Sequence, residues 1–241
     1  MADFRKVLYS RYVSTLKSAQ LERNIQRIQQ FFRTYKHRFL PLLENTSPGD
    51  RILELGCGPG YLLEFLRDQG FKNIEGIDIS AEQVQIAAKQ GLHVSVADVF
   101  SFLSRKRNAY DLIFAIDFVE HFSKSELLSL LPRVHKALKH NGLFIIQTPN
   151  GQGLFPGQVI YGDLTHLTIF AEDSLRQMLR MTGFENIRFK ETDPVPDSFG
   201  GKVNSFLWKI TRAVVRIVRQ IEAHNSSKLW TENMIAWCRK A

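Results

Sequence analysis

The stretch ELGCGPG, Glu54 to Gly60, constrains this chain more than any other part of it. An apolar lead-in, Ile52-Leu53, runs into glycines at alternate positions, Gly56, Gly58 and Gly60, and a helix-compatible run, Tyr61 to Asp68, follows at once. A strand that turns sharply into a helix uses glycine where φ is positive or where a ligand must touch bare backbone. The spacing is GxGxG and differs from the GxGxxG that seats a pyrophosphate on a helix N-terminus. An acid at the entrance, Glu54, suits a ligand that carries an amino group and no phosphate. A tight turn with no ligand is the competing reading of the loop alone.

Further acids fall where such a fold binds ligands. Asp78 closes the apolar run Ile74–Ile79 in GIDIS, Asp98 closes Val94–Ala97 in VADVF, and YDLIFAIDFVEHF (110–122) reads as a buried strand ending in polar residues. Taken singly, each aspartate is equally a helix N-cap. Together they mark the C-terminal ends of successive strands, where open α/β sheets bind their ligands.

The alternation predicts strands near 51–55, 73–77, 93–97, 110–116, 143–148, 184–191 and 233–239, with helices between them. This is an α/β chain with a doubly wound, Rossmann-like, seven-stranded and mostly parallel sheet. Ser80 with Gln83 reads as a capping box, and a helix from Ser123 to about Lys139 should be kinked or divided by Pro132. Four segments follow: an N-terminal helical cap (1–48), the core (49–200), an amphipathic helical insertion (201–230) and a final core strand (231–241). In the cap, Leu21, Ile25, Ile28 and Phe32 recur at helical spacing. Its two readings are a lid over the sheet edge and an entrance to the site reached by Tyr9, Arg11 and Tyr12. In the insertion, Val203, Leu207, Ile210, Val214, Ile217 and Ile221 form one face of a helix over 202–222, with Lys209, Arg212, Arg216 and Arg219 expected on the opposite face. That helix packs on its own domain, on a twin subunit in a homodimer, or on an anionic membrane surface.

Charge is divided along these segments. Residues 1–50 carry nine basic against four acidic residues, a net +5, and residues 200–241 carry eight against two, a net +6, within a chain total of +8. The middle of the chain is mildly acidic, so no basic stripe marks a nucleic-acid enzyme, and no nucleic-acid partner is expected. No apolar run reaches membrane-spanning length. Two cysteines, Cys57 and Cys238, make no disulfide framework, which fits a reducing cytosol.

The loop and the acids resemble the cofactor motifs of class I S-adenosylmethionine (AdoMet) methyltransferases. That resemblance implies an AdoMet site built from Glu54, Gly56, Cys57, Gly58, Gly60, Asp78, Ile79, Asp98, Val99 and Ile116. Asp78 would bond the ribose hydroxyls and Asp98 the adenine amino group. RYVST (11–15), EGIDIS, DFVEHF, QTPNG (147–151), YGDLTH (161–166) and the closing WTENMIAWCRK further resemble bacterial methyltransferases of surface-polysaccharide synthesis. The implied acceptor is a small-molecule or lipid-linked saccharide, and the implied place is the cytoplasm, peripheral on the inner face of the membrane. Two alternatives stay open: a quinone-type or other small aromatic acceptor, and an AdoMet-binding partner protein without turnover.

Methyl transfer to a hydroxyl needs a base, usually histidine. His166 follows the fifth strand in YGDLTH, on a glycine-rich approach (Gly151, Gly153, Gly157, Gly162) expected to be a flexible lid, with Asp163 beside it. His121 follows the fourth strand and is the other candidate, as base, as a residue that orients substrate, or as a brace for the loop. Asp117, Glu120 and His121 stand at i, i+3 and i+4 and would share a helical face, but the expectation is a helix start with no metal.

Overall fold

The computed structural model describes residues 24–223 and 228–241. The sheet order is β3-β2-β1-β4-β5-β7-β6. Its strands are β1 (Arg51–Leu55), β2 (Asn73–Asp78), β3 (Val94–Val96), β4 (Tyr110–Ile116), β5 (Leu138–Pro149), β6 (Phe184–Glu191) and β7 (Asn233–Lys240). The first five pair in parallel, and β7 runs antiparallel between β5 and β6. The order turns outward in both directions from β1 and β4, which leaves a crevice above their carboxyl ends. Register aligns Glu54 with Phe114 and Leu55 with Ala115, so the glycine loop and the residues after β4 open at one level.

Central strands buried on both faces are near-continuously apolar, and a period of two sorts their side chains. Leu53, Leu55, Ile113, Phe144 and Ile146 point into one core, against Leu127, Leu130, Leu131 and Val134 of α5 (Lys124–Ala137) and Leu175 and Leu179 of α7 (Glu172–Met181). Ile52, Leu112, Phe114 and Ile145 point to the other, against Phe39, Leu62, Phe65 and Leu66. The last three belong to α2 (Tyr61–Asp68), which starts directly from Gly60. Burying Leu62, Leu63, Phe65 and Leu66 contributes about 1.5–3 kcal/mol apiece before conformational entropy is subtracted.

The remaining helices are α1 (Ile25–Arg38), α3 (Ala81–Ala88), α4 (Val99–Leu103), α6 (Pro156–Tyr161) and α8 (Phe199–Ala223). Their starts follow capping chemistry. Asn24 accepts from Arg27 N–H, Ser80 from Gln83 N–H and Asp98 from Ser101 N–H, while Ser123 and Glu126 form a complete capping box. Pro132 does not divide α5, which runs unbroken to Ala137 and passes directly into β5 at Leu138. β5 therefore starts five residues before the expected 143, and Asn141, at φ +63°, lies within it rather than at a helix end.

Residues 24–48 are the described part of the cap, with α1 followed by a 3-10 turn over Leu40–Leu43. Phe31 stacks on Tyr61 at 5.2 Å, Phe32 and Tyr35 meet Phe65 edge-on, and Phe39 meets Phe114. It covers α2 and the sheet face beside the glycine loop. Leu21 and the trio Tyr9, Arg11 and Tyr12 lie outside the described residues.

The insertion is a single helix, α8, and its charges are arranged differently from the expected pattern. Arg212 and Arg219 share the half-buried face that meets the protein body with Gly201, Ser205, Trp208 and Val215. Arg212 reaches the buried Glu191 carboxylate at 2.9 Å, and a buried acid recruits its counter-ion whatever the helical pattern suggests. Lys209 and Arg216 remain exposed.

Candidate active site

The glycine loop closes the crevice from one side. Gly56, Gly58 and Gly60 have φ of +69°, +52° and +82°. A Cβ on Gly56 would meet the Phe118 ring at 2.5 Å, and one on Gly60 would meet Leu92 at 2.5 Å. Positive φ and close approach both require glycine here. The loop is pinned to β2: Cys57 N–H donates to the Ile77 carbonyl at 2.9 Å and Gly58 N–H to Asp78 Oδ2 at 2.9 Å. Asp78 Oδ1 accepts from Ser80 N–H at 2.8 Å, so the carboxylate is fixed from two sides.

Glu54 is 4% exposed, and its Oε2 is buried without a hydrogen-bond partner. Burial pushes its carboxyl well above the usual range, and the Asp78 charge adds to the shift. A buried acceptor left without a donor costs free energy, and it persists where a ligand supplies the donor. The half-buried Tyr35 of α1 stands by it; burial, then the Glu54 and Asp117 charges, push its phenol pKa up, which keeps it a hydrogen-bond donor.

The other residues expected at the cofactor divide. Ile79 is 54% exposed beside Asp78 and offers an open apolar surface. Asp98 caps α4 by accepting from Ser101 N–H at 2.9 Å through one oxygen, which leaves its second oxygen outside the cap bond. Ile116 ends β4, half-buried. The Cys57 side chain turns into the core with Leu63, Ala87 and Leu92, and Val99 is buried in the main core, so for both residues the main chain is what remains for a ligand. Both cysteines are free and buried.

Across the crevice, Asp117 breaks the expected helix. Its φ is +49°, and the chain makes only a 3-10 turn over Val119–His121. Asp117 Oδ1 accepts from Gln147 Nε2 at 3.1 Å, Gln147 Oε1 accepts from Arg38 at 3.2 Å, and Arg38 also donates to the Thr192 carbonyl at 3.1 Å. Asp117 thus leaves the trio predicted from its spacing. The structure instead brings Glu120, His121 and His166 together, with one ligand atom from each within 4.8 Å of the others.

Each histidine is braced. His121 Nδ1 lies 2.9 Å from Thr165 Oγ1, and that hydroxyl donates to Asp163 Oδ1 at 2.6 Å. A carboxylate only accepts, so the Thr165 oxygen accepts in turn from the imidazole N–H. His166 Nδ1 lies 3.0 Å from the Val159 carbonyl. A carbonyl cannot donate, so the His166 proton sits on Nδ1 and the Nε2 lone pair is set up as a base. The two rings are 5.1 Å apart, centroid to centroid. Glu120 is fully buried; it accepts from the Thr148 hydroxyl at 3.0 Å, and its carbonyl accepts from Leu167 and Thr168 N–H. These bonds dock the YGDLTH loop on the end of β4.

Gly151 and Gly153, before His166, serve close packing, whereas Gly157 has open space around it. A Cβ on Gly153 would sit 2.9 Å from the Thr231 carbonyl, and one on Gly151 3.1 Å from Ile169. Asn150 holds the same stretch by donating to the Leu229 and Thr231 carbonyls.

The methyltransferase-domain family matches residues 25–188, and the chain belongs to it. It is 29% identical over 128 residues to an uncharacterized protein of Methanocaldococcus jannaschii, covering 51% of this chain and 48% of that one. It is 30% identical over 107 residues to the ubiquinone biosynthesis O-methyltransferase of Chelativorans sp., covering 42% and 41%. These matched regions span about half or less of the relatives' own length. Among solved structures, a SAM-dependent methyltransferase from Archaeoglobus fulgidus superposes with a TM-score of 0.65 at 20% identity, over 88% of this chain and 94% of that one. The fold is that of the class I AdoMet-dependent methyltransferases.

Proposed function

We propose that this chain is an O-methyltransferase acting on a sugar hydroxyl, in a free, nucleotide-linked or lipid-linked saccharide. The observation that carries the reading is His166, with its proton held on Nδ1 by the Val159 carbonyl, facing His121 and Glu120 on a loop docked beside the cofactor crevice. His166 Nε2 takes the hydroxyl proton as the new bond forms. Thr165 and Asp163 position His121, which orients the acceptor.

Bound AdoMet supplies an electrophilic methyl on a sulfonium. Asp78 accepts from the ribose hydroxyls, the backbone from Gly56 to Gly60 lies along the methionine moiety, and the orphaned Glu54 oxygen receives its amino group. Ile79 covers the adenine face, with Asp98, Ile116 and the Val99 and Cys57 main chain around it. Placement and orientation in such a site account for much of the barrier reduction.

Polar groups on the acceptor side favour a polyhydroxylated acceptor: Arg38, Asp117, Gln147 and Thr165 join the two histidines there. A second reading, a quinone-type acceptor, draws on the similarity to the ubiquinone biosynthesis O-methyltransferase and on the exposed Phe155, Tyr161 and Leu164 beside the histidine loop. Transfer from methyl-labelled AdoMet to sugar nucleotides, lipid-linked saccharides and hydroxylated quinones separates the two. Label in an alkali-stable ether of the sugar supports the first reading; label in the quinone fraction alone overturns it.

A further inference from the structure

α8 presents its apolar side to solvent. Phe199 is 85% exposed, Phe206 62%, Ile217 61% and Ile221 77%, and Leu207, Ile210 and Val214 lie along the same line. At 100° per residue these side chains fill an arc of about 100°, diametrically opposite the face that meets the protein body. The expectation that this face packs on its own domain is therefore not met among the described residues. A 25-residue helix is about 37 Å long, so the exposed stripe is continuous over a large distance. Patches of this kind mark interaction surfaces.

Charge indicates what covers it. Lys202, Lys209 and Arg216 repeat every seven residues and line one flank of the stripe, all exposed. Asn204 and Thr211 line the other flank. Glu222 is the one acid in the helix, and it is paired with Arg219. An antiparallel pair of such helices would set the cationic flank of one copy against the cationic flank of the other, with no acid between them. The apolar arc is also wider than the narrow seam a two-helix contact uses. No described helix is long and apolar enough to cross a membrane. An amphipathic helix with an apolar face and a cationic edge lies in the plane of a bilayer interface instead.

We propose that α8 seats the protein on an anionic phospholipid surface, with its apolar face at the acyl boundary and Lys202, Lys209 and Arg216 among the headgroup phosphates. Arg212 and Arg219 take no part in this, because they face the body. Arg212 and the buried Glu191 fasten the helix to the end of β6, and the next residue, Thr192, gives its carbonyl to Arg38 of the acceptor-side network. The docked helix therefore holds the acceptor side of the crevice near the lipid. The inference is independent of which hydroxyl is methylated.

The test uses the full chain and vesicles of phosphatidylcholine with or without phosphatidylglycerol. The wild type co-sediments with the anionic vesicles at low salt, stays in solution with the neutral ones, and is released by high salt. The variant Lys202→Glu/Lys209→Glu/Arg216→Glu partitions at least about tenfold more weakly, as does Phe206→Asp/Ile210→Asp. All the changed residues are exposed, so thermal melting and AdoMet affinity stay at wild-type values, which separates this result from any failure of the catalytic reading. A wild type that ignores anionic vesicles, or variants that bind them as well as the wild type, overturns the proposal. A dimer in analytical ultracentrifugation that Phe206→Asp/Ile210→Asp returns to monomer assigns the face to a second copy and overturns it equally.

Discussion

Glu54→Gln should make the cofactor-free protein more stable and the cofactor weaker. The Glu54 carboxyl is buried with one oxygen unpartnered, and its pKa is raised by burial and by Asp78. An acid whose folded pKa is raised binds its proton more tightly when folded. The associated stability is fully present below the unfolded value of about 4.3 and is lost as pH rises through the folded value. At neutral pH the isosteric amide removes that loss. Replacing the buried charge with a neutral amide is worth about 1–3 kcal/mol, or a Tm gain of about 2–12 °C for a chain of this size. The gain should shrink as pH falls and vanish below the unfolded value, where Glu54 is protonated in both states. If Glu54 receives the AdoMet amino group, as proposed, losing that charge-assisted bond costs about 1.5–3 kcal/mol, a roughly 10–150-fold weaker AdoMet affinity. Differential scanning fluorimetry across pH and isothermal titration with AdoMet read both effects. A lower Tm at neutral pH, or an unchanged Kd, refutes the argument.

Two further predictions follow from the same crevice. Asp78→Ala removes the acceptor that Gly58 and Ser80 hold in place, so AdoMet should bind at least about tenfold more weakly by titration calorimetry, with secondary structure by circular dichroism unchanged. EDTA should leave turnover unchanged if the proposed role of the histidines in handling the proton holds; activity lost to the chelator and restored by a divalent cation would reassign Glu120, His121 and His166 to metal binding.

The sheet was largely legible because its signals are local. A glycine loop after an apolar run, acids at strand ends and buried apolar strands gave β1, β4 and β6 their limits, and β2 to within one residue. β5 was read short because Asn141-Gly142 resembles a helix end, although here Asn141 takes positive φ within the strand. The positions of the glycine loop and of the acids at the strand ends were legible for the same reason as the sheet, whereas the directions of the Cys57 and Val99 side chains were not. No sequence window shows that Cys57 packs on Gly76, or that Val99 faces the core. The acceptor side depends on contacts between distant segments. Arg38 lies 109 residues from Gln147, and His121 lies 44 from Thr165. Helical spacing grouped Asp117 with Glu120 and His121, but a positive φ at Asp117 sends it to Gln147 and leaves its place to His166. The same limit applied to α8: its apolar periodicity was plain, whereas the role of Arg212 was set by Glu191, a buried acid on another element.

The account rests on His166 as the base, and single-turnover transfer from methyl-labelled AdoMet tests it most directly. With saturating acceptor, His166→Ala should lower the rate of the chemical step by about two to four orders of magnitude while AdoMet affinity stays within a factor of about two. His121→Ala should slow it less, with the larger part of its effect on acceptor KM. A chemical step in His166→Ala as fast as in the wild type would contradict base catalysis by this residue, and a loss confined to His121→Ala would transfer the role to His121.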